Sequence, residues 1–248
     1  MRFHFHISFI TVVVAAFSYS PVAVVNVLPM LLLCYLVFNV LIYGGLYTFN
    51  DIIDAKADSQ HPIKKMRAIP AGKVSVVAAA NFSALLILSG ISIAYYYLSS
   101  NVFSILLLFI GLNFAYTLYF KHIIYLNLAI VAGTHTLRLL LGITLVDATI
   151  SPGVLIAFYC LLFGIATTIH SLFNLKPYEE PYYTKYHVLF IQLASFLIVG
   201  LLQFYSNYFL SLPVVALEIF YLVLIICSYA SVLQPYIARV FMVKLKNV

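Results

Sequence analysis

Charge is what this sequence has least of. Of 248 residues only seven are acidic and thirteen are Lys or Arg, so that 8% are charged, where soluble domains carry roughly a quarter. That scarcity excludes a soluble globular chain. Cysteine is almost missing too: Cys34, Cys160 and Cys227 each stand inside an apolar stretch, without disulfide or metal-ligand spacing, and read as packing residues. Alternating ten-residue strand patterns are also lacking, which argues against a membrane barrel.

What is present is apolar. Hydrophobic residues make up 65% of the chain and the mean hydropathy is +1.09. Stretches long enough to cross about 30 Å of hydrocarbon as helices fall at 5–24, 28–49, 74–98, 101–119, 123–145, 152–173, 187–206 and 210–234. The expected fold is all-α, a polytopic transmembrane bundle of about eight helices. The connections leave no room for a soluble domain, so residues 1–248 are expected to form one transmembrane domain. The first span follows Arg2 and ends in small residues, as a cleavable signal peptide would, and its removal would leave every candidate site residue in place.

The net charge of +6 points to topology rather than to nucleic acid. Arg2 precedes span one; Lys56, Lys64, Lys65, Arg67 and Lys73 follow span two; Lys121 follows span four; Lys176 and Lys185 follow span six; Arg239, Lys244 and Lys246 follow span eight. The opposite loops, near 25–27, 99–100, 146–151 and 207–209, hold no Lys or Arg. The positive-inside rule then puts both termini and the even-numbered loops in the cytoplasm. The cell membrane is the expected location, with any site at the ends of helices two, four and six facing the cytoplasm.

Three of the seven acidic residues crowd into "NDIIDAKAD", residues 50–58, as Asp51, Asp54 and Asp58. Separations of three and four place all three carboxylates on one face of a helix continuing out of span two. Like charges so arranged repel, and a helix C-terminal end worsens the repulsion. A hard divalent cation, Mg2+ above all, resolves it through carboxylate oxygens, water and substrate phosphate. Asn50 can add a neutral group. The plainer reading is a solvated acidic patch at the membrane edge. The following "HPIKKMRAIPAGKVS", residues 61–75, brings Lys64, Lys65 and Arg67, cations suited to the oxygens of a diphosphate that a metal leaves uncovered. His61 by itself is uninformative. Arg138 lies well inside an apolar span, which is costly unless it meets an anion or a polar cavity. A bound ligand is the favoured partner and Asp147 the alternative, with His135 one turn earlier. Glu218, the other intramembrane charge, takes no assignment.

These residues resemble the UbiA-type membrane prenyltransferases. That family's N-D-x-x-D-x-x-x-D signature is matched by Asn50, Asp51, Asp54 and Asp58, and its R-x-I-x-x-G turn by Arg67, Ile69 and Gly72. The block "YTLYFKHIIYLNLAIVAGTHTLRLLLG" is similar to its Y-S-x-x-x-K segment and the next helix, through Tyr116, Lys121, Arg138 and Gly142. The resemblance implies a nine-helix fold and a transferase moving a prenyl group, an alkyl or aryl group other than methyl, from an allylic polyprenyl diphosphate to an aromatic or lipid acceptor reached from the bilayer. It implies Mg2+ on Asp51, Asp54 and Asp58. Asn50, Lys64, Arg67, Lys121 and Arg138 would bind the diphosphate, with Asp51, Asp54, Lys121 and Tyr116 in catalysis, Tyr116 offering its π face to the allylic cation.

The family's second acidic motif, D-x-x-x-D after helix six, is not matched. Residues 167–187 contain no Asp; His170 and Asn174 occupy the i, i+4 spacing, and Glu179 and Glu180 come later. Either the two glutamates replace the missing metal ligands, or one metal site is lost, or the chemistry has changed. Residues His61, Pro62, Lys64 and Arg67 also resemble the H-P-x-K-x-x-R of the polyprenyl-phosphate phosphoribosyltransferase subgroup. Phosphoribosyl transfer to a polyprenyl phosphate is therefore one alternative, and a non-catalytic lipid-binding member of the fold another.

Overall fold

The computed structural model describes residues 4–19, 24–123, 125–173, 185–206 and 212–229. Among them every regular element is helical, as the apolar, strand-poor sequence requires: α1 (His4–Ile7), α2 (Ile10–Tyr19), α3 (Val24–Cys34), α4 (Tyr43–Gln60), α5 (Val76–Tyr97), α6 (Ser100–Ala115), α7 (Leu126–Leu145), α8 (Pro152–Phe173), α9 (Lys185–Ser206) and α10 (Leu212–Tyr229). Two wider π-helical stretches, Tyr35–Ile42 and Tyr116–Phe120, sit between α3 and α4 and after α6, and a short 3-10 turn spans Lys64–Met66.

Six helices among the described residues are long and apolar enough to cross a membrane: Asn26–Gln60, Val76–Tyr97, Ser100–Phe120, Leu126–Leu145, Pro152–Ser171 and Tyr186–Phe204. They correspond to the expected spans two to seven. Span one is shorter than expected. Instead of one helix over 5–24, turn bonds from Phe9 N–H to His6 O (3.2 Å) and Thr11 N–H to Ser8 O (3.4 Å) separate α1 from α2. The continuous run Asn26–Gln60 has 35 residues, about 50 Å at 1.5 Å per residue. That is longer than the hydrocarbon slab, so the end bearing Asp51, Asp54 and Asp58 has length to project beyond it.

The described chain gathers into two compact units. One comprises Met1–Ile123 with Leu137–Thr149. Its core is built from Phe9, Val12, Leu31, Phe38, Ile42, Val102, Phe109 and Leu141. Within it α4 packs on α5 at Gly45, where a Cβ would meet Ile87 Cγ1 at 2.6 Å and the Ser83 carbonyl at 2.9 Å. The Ser83 hydroxyl donates to the Gly45 carbonyl (2.8 Å) across the same contact. Small residues at such a crossing let backbones approach where no water-driven force operates. The contact fixes α4 one turn before its polar end begins.

The second unit comprises Ile124–Thr136 and Ile150–Val248, with α8 packed on α9 and on α10. A polar chain joins these three helices. Gln192 Nε2 donates to Thr168 Oγ1 (3.0 Å), and the Tyr229 hydroxyl donates to Gln192 Oε1 (3.0 Å). Gln192 and Thr168 are buried. Interhelical hydrogen bonds of this kind average about 0.6 kcal/mol in membranes. Gln192→Leu breaks two and leaves the Thr168 hydroxyl without that partner, so it is expected to destabilise the protein by about 1–2 kcal/mol. The loss is read as a lowered midpoint of unfolding in detergent. Glu218 on α10 accepts a bond from Gln203 Nε2 on α9 (2.8 Å), which supplies the partner the sequence left unassigned.

Candidate functional site

One face of α4 carries the site along the whole length of the helix. Tyr43, Tyr47, Asn50, Asp51, Asp54 and Asp58 recur at spacings of three or four on one helical face. Asn50 Nδ2 donates to Asp54 Oδ2 (2.9 Å), and the Tyr43 and Tyr47 hydroxyls are 3.0 Å apart.

Two cations converge on the carboxylates from elsewhere in the chain. Lys121, 67 residues away in sequence, is bonded through Nζ to Asp54 Oδ1. Its placement depends on the π-helical stretch before it: Lys121 N–H bonds to the Tyr116 carbonyl (2.9 Å), five residues back instead of four. Such an extra residue rotates the next side chains around the helix axis. Tyr116, half-buried at the start of this stretch, thus sets the Lys121 backbone.

Arg67 comes from the loop after α4. Its Nη1 lies 2.5 Å from Asp58 Oδ2 and 3.7 Å from Asp51 Oδ1. Several hydrogen bonds close the loop that holds it. His61 Nδ1 accepts the N–H groups of Ile63 and Lys64 (3.2 Å each), so this histidine caps the turn. Arg67 N–H bonds to Lys64 O (3.0 Å), and Arg67 O accepts from Ala71 N–H (2.9 Å). Lys64, half-buried, lies at the start of the 3-10 turn.

These five charged side chains, Asp51, Asp54, Asp58, Arg67 and Lys121, set three carboxylates against two cations and leave a net negative charge. Asp51 and Asp54 keep 34% and 30% of their side-chain surface, against 7% for Asp58. Among the described residues no three His, Cys, Asp or Glu side chains are gathered into a metal-binding group. Mg2+ does not need such a cage. It binds through one or two carboxylates plus water and substrate phosphates, and Asp51 and Asp54 are the more accessible carboxylates of this face.

Arg138 lies with other partners. It is 1% exposed, and its guanidinium carbon is 5.0 Å from the ring centres of Tyr43 and Phe109 and 5.5 Å from that of Phe38. Three π faces surround the charge, a favourable way to hold a desolvated guanidinium. Tyr43 is eleven residues before Asp54, about 16 Å along α4. Asp147 is exposed and adopts a left-handed conformation (φ 53°) just beyond α7, where it closes the helix. Phe38, Tyr43 and Phe109 are not among the residues that the sequence singles out. The recurrence of Tyr43 and Tyr47 with Asn50 and Asp54 was a usable signal for one ring; the other two had none.

Of the remaining candidates, His170 is in the last turn of α8 and exposed. Asn174, Glu179 and Glu180 lie outside the described residues. In the second unit, the Tyr125 hydroxyl and His187 Nδ1 are hydrogen-bonded (3.0 Å), with Tyr125 at φ 63°.

The UbiA prenyltransferase family profile matches residues 8–244. Among its relatives, the chain is 31% identical over 113 residues to an uncharacterized protein of Sinorhizobium fredii, covering 45% of this chain and 22% of that one. It is 30% identical over 108 residues to the decaprenyl-phosphate phosphoribosyltransferase of Mycolicibacterium smegmatis, covering 44% and 34%. With the protoheme IX farnesyltransferase of Ehrlichia canis it shares 31% identity over 173 residues, covering 62% and 57%. The matches thus span less than two thirds of the length of each of these relatives.

Proposed function

The chain belongs to the UbiA prenyltransferase family, and from that premise we propose that it is a Mg2+-dependent membrane transferase. In this reading it moves a prenyl group from an allylic polyprenyl diphosphate to an aromatic or lipid acceptor, at a site facing the cytoplasm. Integral-membrane character itself follows from the family together with the six long apolar helices. The observation that carries the reading is the convergence of Lys121 and Arg67 on the carboxylates of one α4 face.

Asp51 and Asp54 would hold Mg2+, and when bound the ion supplies positive charge to the diphosphate oxygens. Lys121 and Arg67 donate to those oxygens as the allylic C–O bond breaks and its electron pair moves onto the leaving diphosphate. Stabilisation there is electrostatic and preorganised, because both cations are already in place. Asn50, bonded to Asp54, orients that carboxylate. Lys64, at the start of the Arg67 loop, adds positive charge near the phosphate. The ring of Tyr116 offers a π face to the allylic cation. The acceptor then forms the new bond to carbon and gives up its proton. Arg138, in its aromatic box, is read as holding the inner walls Phe38, Tyr43 and Phe109 together, with any contact to the diphosphate reached only by a ligand extending inward. By sequence, Glu179 and Glu180 are the candidate carboxylates for a second Mg2+.

A second reading, phosphoribosyl transfer to a polyprenyl phosphate, is favoured by the similarity to the Mycolicibacterium smegmatis enzyme. The same carboxylates and cations suit a ribosyl diphosphate. Purified protein in nanodiscs, given Mg2+ with prenyl diphosphates of several lengths or with ribosyl diphosphate and polyprenyl phosphate, separates the two by mass spectrometry. Prenylated product supports the first reading and ribosylated lipid the second. No diphosphate release from any donor overturns both.

A further inference from the structure

We propose that Asp58 is a positioning residue, whose carboxylate fixes the Arg67 guanidinium against the diphosphate instead of holding the metal. The inference rests on the function proposed above and divides the acidic cluster into two parts with different tasks.

Burial separates the three carboxylates first. An ion that keeps water and phosphate in its shell needs an accessible oxygen. Asp58, with 7% of its side-chain surface exposed, offers the least, while Asp51 and Asp54 keep about a third. The partners differ as well. Asp58 makes a 2.5 Å charge-assisted bond to Arg67 Nη1, whereas Asp51 stands 3.7 Å from the same nitrogen.

Both members of the Asp58–Arg67 pair sit on ordered backbone. Asp58 is in the last turn of α4, where its carbonyl accepts His61 N–H (3.1 Å). Arg67 closes the 3-10 turn and is bonded through both its N–H and its carbonyl. The segment between them is therefore a short closed loop pinned by one ion pair. A guanidinium carries five N–H donors in a fixed fork, so it can hold a carboxylate and phosphate oxygens together. Lysine, with a compact ammonium on a flexible stem, cannot reproduce that fork. Asp58 orients the fork; Asp51 and Asp54, each with about a third of its side-chain surface exposed, keep the access a metal needs.

The test uses the full chain in nanodiscs, with inorganic pyrophosphate and Mn2+ as probes. At saturating Mn2+, Asp58→Asn is expected to weaken pyrophosphate binding by about tenfold to a hundredfold. The Mn2+ concentration for half-maximal binding should move by less than about twofold, whereas Asp54→Asn should raise it by more than about tenfold. Arg67→Gln should show the same loss as Asp58→Asn, with no further loss in the double variant, because the two residues act as one unit. Asp58→Glu, which keeps the charge, should recover most of the affinity. If Asp58→Asn does not fold, Arg67→Lys gives the same reading, with weakened pyrophosphate binding at an unchanged Mn2+ requirement. The proposal is overturned if either variant raises the Mn2+ requirement as Asp54→Asn does, or if the Asp58 and Arg67 losses add. Absence of Mn2+-dependent pyrophosphate binding in the unsubstituted protein would instead sink the proposed function, and this inference with it.

Discussion

Asp54→Asn is expected to lower transfer activity by at least about a hundredfold, the scale on which removal of a preorganised charge acts, while the protein stays folded. Asp54 is where the parts of the site meet. Its two carboxylate oxygens are bonded to Asn50 and to Lys121, and with Asp51 it forms the accessible part of the acidic face. Asparagine keeps the shape and removes the charge, so helix α4 has no steric reason to change. The lost ion pair is partly exposed, and such pairs contribute at most about 1 kcal/mol. Activity and stability should therefore separate: turnover and Mg2+-dependent donor binding collapse, and the unfolding midpoint in detergent hardly moves. Transfer at the normal rate by Asp54→Asn would remove the carboxylate from the mechanism.

Gly142→Ala should do the reverse, unfolding or misassembling the chain without touching the site. Gly142 lies in α7 where α2 crosses it, and a Cβ there would run into the Val12 backbone carbonyl and stand 2.8 Å from the Ala15 Cβ. Neither obstacle is the end of a flexible side chain, so the helices must move apart. Val12 and Ala15 are fully buried, and separating the helices opens the core itself. Overpacking of this kind costs about 1–3 kcal/mol, occasionally more. The expected result is a sharp fall in folded yield and in unfolding midpoint, with Gly142→Val worse still. An alanine variant of normal stability would contradict the close approach of α2 and α7.

Helices were the legible part of this fold, because length and hydropathy decide what can cross a bilayer. The expected spans 74–98, 101–119 and 152–173 come within a few residues of α5, α6 with its π-helical extension, and α8. The expected continuation of span two through Asp58 is the run ending at Gln60. The break before α2 was not legible, since residues 5–19 are apolar without interruption by Gly or Pro. Nor were the π-helical stretches Tyr35–Ile42 and Tyr116–Phe120, which insert a residue without any change of composition.

In the site, spacing on a single helix was readable and partners from other elements were not. The common face of Asp51, Asp54 and Asp58 follows from separations of three and four. That Lys121 would meet Asp54 while Arg67 met Asp58 depends on how α6 and the 61–75 loop return to α4. Arg138 shows the same limit. Its cost inside a span was evident, and an anion was the expected remedy, but Phe38, Tyr43 and Phe109 come from three elements that no local pattern links. Of the residues around the end of α8 that stand in place of the family's second acidic motif, His170 is in the last turn of the helix, while Glu179 and Glu180 lie outside the described residues.

The most direct test of the central claim is titration of the purified, nanodisc-embedded protein with a non-reactive allylic diphosphate analogue, with Mg2+ present and again after chelation. Binding that requires Mg2+, returns when the ion is restored and is lost in Asp54→Asn is the predicted result. Binding of equal affinity with and without the ion, or unchanged by Asp54→Asn, would contradict the assignment of the α4 carboxylates to a metal-dependent grip on diphosphate.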